Sequence, residues 1–336
     1  MPDAHLLSRR FAFKVAGLAG ATVALRDRIA VADAPATKPA ALPQGAGFYR
    51  THVGEFEVTV ISDGGLPQSP PFPTWGANAG KEAVEAALRD AFIDPADMVG
   101  QVNALLVRNG TGPYTLIDTG TGKLFGPGLG FVKSNLAAAG VSADDIATVV
   151  FTHLHPDHAG GAIGDGGPVF PRAKYLVHKA ERDFWAGEKP DFSKCGASEE
   201  LVAMVTGAAK KVLAALGPVL QTFDGPEHEI APGIVAQHLP GHTPGHCGIR
   251  LTSGDAKLLY LADSAHSAVL SFGHPDWHLT FDTDRDAGVA TRKAVYAKVA
   301  EERLLISGAH LPFPSLGHLK KAGDGFDYVP TPWRWS

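Results

Sequence analysis

A short apolar run, IATVV at 146–150, is followed at once by FTHLHPDHAGG, which sets His153, His155, Asp157 and His158 within six positions. Folding alone does not ask for this, because imidazole and carboxylate groups at the end of a buried segment need polar partners. The apolar run has the length and composition of a buried strand. On extended backbone leaving such a strand, residues i and i+2 face the same way, so His153 and His155 point together. Pro156 turns the chain, and Asp157 and His158 project from the new direction. Gly160 and Gly161 then let backbone come close. Histidine nitrogen and carboxylate oxygen are zinc ligands when they converge from a rigid frame. One loop therefore offers two ligand pairs, enough to begin two metal sites.

The pattern of an apolar strand followed by a donor occurs three more times. IVAQHLPGHTPGH brings His242, LLYLADSAH brings Asp263, and LLISGAHLPFP brings His310. Each alone is an ordinary turn residue. With the first cluster they make seven candidate ligands, five histidines and two aspartates. Around them, strand-like and helix-like pieces alternate from about residue 49. EFEVTVISDGG alternates as a strand and is expected to end in a glycine turn. VNALLVRNGTGPYTLIDTG reads as two strands about a turn. FVKSNLAAAG reads as a helix closed by Gly140, and SEELVAMVTGAAKKVLAAL carries Leu201, Val205, Ala208, Val212 and Leu216 on one face. A helix over about 284–303 precedes LLISGAH, expected to be the last strand. Strands in two groups, each with helices, imply a layered α/β sandwich.

THLHPDHAGG, GHTPGH, LADSAH and GAHLPFP together resemble the metallo-β-lactamase superfamily, over essentially all of residues 49–329. The resemblance implies a four-layer αββα sandwich. It implies one metal held by His153, His155 and His242, a second by Asp157, His158 and His310, and Asp263 bridging the pair. The KLFGP run and HLTFDTDRDAGVATRKAVYAKVA are most similar to methyl parathion hydrolase and its lactonase and arylesterase relatives. Subclasses with a cysteine in place of Asp263, or a glutamate in place of His155, fit less well.

The resemblance also implies a hydrolase with two divalent ions, zinc by its ligand set, and a hydroxide between them as nucleophile. The substrate is expected to be a small neutral ester: a lactone, an aryl ester or an organophosphate triester. Asp157 and Asp263 are the candidates for moving a proton to the leaving group. Asp118, Thr152 and His246 are candidates to support the imidazoles from behind. Phe125, Trp185 and His266 are candidates for the substrate wall, with Phe72 and Trp75 in a flap. Two alternatives stand beside this reading: a glyoxalase II-like thioester hydrolase, and a non-catalytic metal-binding protein on the same fold.

The 336 residues suffice for a large core, and the net charge of −5 without a basic block argues against a nucleic-acid partner. Cys195 and Cys247 form no C-x-x-C pair; two buried free thiols are expected, a disulfide being the alternative. At the start, LSRRFAFKVAGLAGATVAL has twin arginines, Arg9 and Arg10, and an apolar run too short to span a bilayer. It resembles a twin-arginine export signal over residues 1–34, followed by a Pro/Ala-rich lead-in over 35–48 and one hydrolase domain over 49–336. The expectation is a periplasmic or secreted protein without a stable membrane anchor, with a homodimer allowed.

Overall fold

Alternation of side chains decides the layers. In the strand Val99–Asn109, Leu105 and Val107 face one way and Ala104 and Leu106 the other, and all four are buried. A strand apolar on both faces needs cover on both. Leu105 and Val107 meet Val58 and Val60 of the neighbouring strand and, from a second sheet, Ile249, Leu251 and Tyr260. Ala104 and Leu106 pack instead with Val132 and Leu136 of one helix and Val212 and Leu216 of another. On the far side of the second sheet, Leu259 and Ile306 pack with Val295, Tyr296 and Val299. The layers are helix, sheet, sheet, helix, the expected αββα sandwich.

The computed structural model describes residues 45, 47–126 and 128–334. The export signal and most of the lead-in expected from the sequence lie outside the described residues. Phe48, expected to close the lead-in, already pairs with Ile61.

The first sheet runs in the order β1 (Phe48–Val53), β2 (Phe56–Pro67), β3 (Val99–Asn109), β4 (Tyr114–Ile117), β5 (Ile146–Val150), β8 (Lys174–His178) and β9 (Leu220–Phe223). Its first four strands pair antiparallel and the last four parallel. A small hairpin, β6 (Ile163–Gly164) with β7 (Gly167–Pro168), lies apart. The second sheet runs in sequence order through β10 (Glu227–Ala231), β11 (Ile234–His238), β12 (Cys247–Ser253), β13 (Ala256–Tyr260), β14 (Leu305–Ser307), β15 (Gly317–Ala322) and β16 (Gly325–Pro330). The helices are α1 (Lys81–Asp90), α2 (Val132–Ala138), the single turn α3 (Pro156–Ala159), α4 (Lys179–Ala186), α5 (Glu199–Leu216), the single turn α6 (Leu270–Gly273) and α7 (Arg285–Glu301). Ser198 caps α5 by accepting from Leu201 N, and Asp284 caps α7 by accepting from Ala287 N. No helix among the described residues is long and apolar enough to cross a membrane.

Three sequence expectations are corrected. LLISGAH is not the last strand, since β15 and β16 follow it and complete the second sheet. The edge strand β10 adds to the strands expected there. The glycines after Asp63 do not turn the chain: β2 continues to Pro67, with a bulge between Ser62 and Gly64. Gly64 has φ 113°, and a Cβ there would sit 2.2 Å from Gly128 O. The bulge leaves Asp63 without a strand partner and turns its carboxylate onto the 119–132 loop. It accepts from Thr121 N at 2.8 Å, Thr121 Oγ1 at 2.7 Å and Val132 N at 3.0 Å.

Candidate metal centre and its cavity

Each candidate ligand leaves the end of a strand. His153 and His155 follow β5, and Asp157 and His158 stand on the single turn α3, which Pro156 opens. His242 lies in the loop after β11, Asp263 in the one-turn 3-10 helix after β13, and His310 just past β14. His153, His155, His242 and Asp263 form one group whose ligand atoms lie within 4.8 Å of one another. Asp157, His158 and His310 form a second, under the same 4.8 Å limit. Asp263 is common ground: its Oδ1 is 3.0 Å from His158 Nε2, and its Oδ2 is 3.2 Å from His242 Nε2 and 3.3 Å from His310 Nε2.

The proton inventory of the imidazoles follows from their neighbours. Nδ1 of His158 donates to Asp118 Oδ2 at 2.8 Å, and Nδ1 of His310 donates to Gln101 O at 2.7 Å. Nδ1 of His242 donates to Asp282 Oδ1 at 3.1 Å. Thr152 gives its hydroxyl proton to Asp118, so it accepts from His153 Nδ1 at 3.1 Å. In all four rings the proton is spent outward, and the Nε2 lone pair faces the cluster. His153 Nε2, His158 Nε2 and Asp263 Oδ1 are buried and have no hydrogen-bond partner. Buried nitrogen and oxygen atoms gathered in this way suit cations, and the donor set fits two divalent ions.

Charge follows the same logic. Burial holds the His153 imidazole well below its ordinary value, and His158 adds to this. Burial alone would lift the Asp263 carboxyl, but His158, His310, His266 and His153 hold it well below the usual carboxylate range. His246 has another job. Its Nδ1 donates to Leu239 O, its Nε2 accepts from Asp263 N, and burial pushes it down to about 3. A permanently neutral His246 thus fixes the backbone that carries Asp263.

The cluster opens into a cavity of about 240 Å³. Phe125 and His266, two of the three candidates for the substrate wall, line it, and the N-terminal half of α5 supplies Leu201, Val202 and Val205. Trp185, expected on the substrate wall, does not line it. It is fully buried in the helix layer, its ring edge-on to His155 at 5.6 Å, because Nε1–H is drawn to Glu181 Oε1 at 2.6 Å. Trp75 is buried in a satellite apolar cluster with Leu88 and Leu279, and Phe72 is partly buried against it, so the expected flap is a packed lobe. Both cysteines are free thiols; Cys247 is buried, while Cys195 is half-buried and borders the cavity.

Sequence reasoning missed Glu181, Asp282 and Arg292. Asp282 is fully buried between His242 and Arg292, whose Nη1 donates to Asp282 Oδ2 at 2.7 Å. It lies among several carboxylates in FDTDRDA, and nothing in that stretch singles it out.

Residues 97–310 match the family described as the Metallo-beta-lactamase superfamily. Among solved structures, AidC, a dizinc quorum-quenching lactonase in complex with a product, superposes with a TM-score of 0.81 at 32% identity, covering 86% of this chain and 98% of that one. The hydrolase AbOPH superposes with a TM-score of 0.79 at 30% identity, covering 87% of this chain and 100% of its own. An N-acyl homoserine lactonase of a Bacillus species is 23% identical over 133 residues, 39% of this chain. That match spans 44% of the relative's length, less than half of it. The layered fold, the strand-end donors and the extent of these matches agree, and the chain belongs to the metallo-beta-lactamase superfamily.

Proposed function

We propose that this protein is a dinuclear metal-dependent hydrolase of neutral, apolar lactones and esters, with zinc as the metal its donors suit. One observation carries the substrate class: among the described residues, no Lys or Arg borders the cavity beside the metal cluster. Its walls away from the cluster are mainly apolar, with Phe192, Val202, Val205 and Phe281 among them. A carboxylate held against such walls, away from the metal cluster, loses water and gains no Lys or Arg partner there. Glutathione thioesters carry carboxylates, so the glyoxalase II-like alternative is disfavoured. The likeness to AidC and to the Bacillus lactonase supports a lactone as the first substrate to try.

Bound here, two divalent ions supply an acidified water as nucleophile and polarise the substrate's carbonyl or phosphoryl oxygen. The chain does the rest. Asp118, Asp282, Thr152 and the Gln101 carbonyl fix the four imidazole tautomers, so no ring reorients during turnover. Asp263, 3% exposed, stays ionised between the two ligand groups. Asp157, 24% exposed and on the cavity wall, is the carboxylate placed to pass a proton to a leaving oxygen. The largely apolar walls lower the local polarity, which strengthens these interactions. Export through the twin-arginine route belongs to this reading, supported by Arg9, Arg10 and the short apolar run after them.

The test is a hydrolysis panel on full-length protein of known metal content: N-acyl homoserine lactones, aryl acetates, paraoxon-type triesters and a glutathione thioester. Desolvating an unpaired carboxylate costs several kcal/mol, so kcat/KM for the neutral lactone should exceed that for the thioester by at least about 100-fold. A glutathione thioester that outcompetes every neutral ester would overturn the assignment.

A further inference from the structure

Glu181 is fully buried on α4, does not border the cavity and has no Lys or Arg partner among the described residues. Its four hydrogen bonds are shared evenly between its two oxygens. Oε1 accepts from Leu154 N at 2.9 Å and Trp185 Nε1 at 2.6 Å. Oε2 accepts from Thr243 Oγ1 at 2.5 Å and Gly245 N at 3.0 Å. Leu154 sits between His153 and His155, and Thr243 follows His242 directly. One carboxylate therefore grips the two loops that carry the first ligand group, one loop after each sheet. The grip is tight: a Cβ on Gly245 would lie 2.2 Å from Glu181 N.

We infer that Glu181 is a positioning residue that sets the spacing between the His153–His155 loop and the His242 loop, and through it the affinity of the first metal site. The inference rests on the dinuclear reading proposed for the site. The chemistry of the side chain makes the isosteric amide informative. Leu154 N and Trp185 Nε1 are both donors, so an amide NH2 cannot face them. Glutamine at 181 must keep its oxygen there and turn its NH2 toward Thr243 and Gly245. The Thr243 hydroxyl can reverse and accept, but Gly245 N–H cannot. Glu181→Gln thus releases the His242 loop and leaves the other loop held. Thr243→Val removes one of the same contacts more gently. Trp185→Phe removes only the Nε1–H contact to Glu181 and keeps an aromatic ring against His155.

The experiment is a Co2+ titration of metal-stripped full-length protein, followed by visible absorption, with melting temperatures measured in parallel. Wild type should take up two equivalents. Glu181→Gln, and to a smaller degree Thr243→Val, should weaken one equivalent by about 10–100-fold and leave the other unchanged. Trp185→Phe should lower the melting temperature and leave both unchanged. Were Glu181→Gln to bind as wild type, or to weaken both sites in step with the melting temperature, the positioning role would be refuted. If Glu181→Gln does not fold, Thr243→Val decides by the same criteria. A wild type that takes up no Co2+ would refute the dinuclear reading itself, a result distinct from a wild type with two sites and an indifferent Glu181.

Discussion

Asp282 stands between His242 and Arg292, with one carboxylate oxygen 3.1 Å from the imidazole and the other 2.7 Å from the guanidinium. Arg292 is itself anchored by the carbonyl of Trp277 at 3.0 Å. Removing one member of such a buried pair strands the other. Asp282→Ala should destabilise the fold by about 3–5 kcal/mol in urea unfolding. The double variant Asp282→Leu/Arg292→Met should recover much of that stability yet keep weak zinc binding, because His242 has lost its proton acceptor. Zinc affinity that returns together with stability would contradict this division.

Asp263 belongs to the first ligand group and also meets His158 at 3.0 Å and His310 at 3.3 Å, whereas Asp157 belongs to the second group alone. Asp263→Ala should therefore abolish turnover and lower metal content toward zero. Asp157→Ala should retain about one equivalent per chain. Metal analysis by mass spectrometry separates the two. Normal metal content and activity in Asp263→Ala would contradict the bridging position.

His178 gives the fold a pH dependence away from the metal centre. Its Nδ1 accepts from Ala180 N, capping α4, and its Nε2 donates to Gly225 O. Accepting at Nδ1 requires the neutral ring, whereas the donor bond at Nε2 survives protonation. Burial lowers its pKa, and the face-stacked His238 at 4.3 Å lowers it further. The unfolded chain then binds the proton more tightly than the folded one. The stabilisation is complete above the unfolded value of about 6.5 and is lost as pH falls toward the lower folded value. His178→Asn, which keeps a capping oxygen without the titration, should flatten stability against pH in that window. An unchanged slope would exclude His178 as its source.

The bulge at Gly64 makes a prediction about the cavity rim. Gly64→Ala places a methyl against Gly128 O and forces a conformation that L-residues avoid, at a cost of about 1–3 kcal/mol. Asp63 is the neighbouring residue and tethers the loop that carries Phe125. KM for a bulky aryl ester should rise more than kcat falls. A purely thermal effect with unchanged KM would place the loop under other control.

The candidate ligands are legible because each is announced locally, by a β-branched or leucine-rich run that leads to a donor. His153, His155, His242, Asp263 and His310 all read this way, and the layer order follows from the same runs. The sequence is silent where function depends on pairing across the fold. Glu181 and Asp282 each stand among other charged residues, in HKAERDFW and FDTDRDA, and only the folded chain shows that loops distant in sequence meet them. Trp185 misleads because an aromatic near a catalytic loop looks the same whether its ring faces a cavity or the core. EHEIA, the β10 edge strand, carries charges at alternate positions, which edge strands tolerate and which hides them from a hydrophobic pattern.

The seven donors divide by parentage. Four come from the loop after β5 in the first sheet, and the other three from loops after β11, β13 and β14 in the second. Neither sheet owns a whole coordination set. Ions seated there would rivet the two halves of the sandwich, and every factor of ten in zinc above its dissociation constant would add about 1.4 kcal/mol against their separation. Chelation should thus loosen the seam between the sheets as well as silence the enzyme.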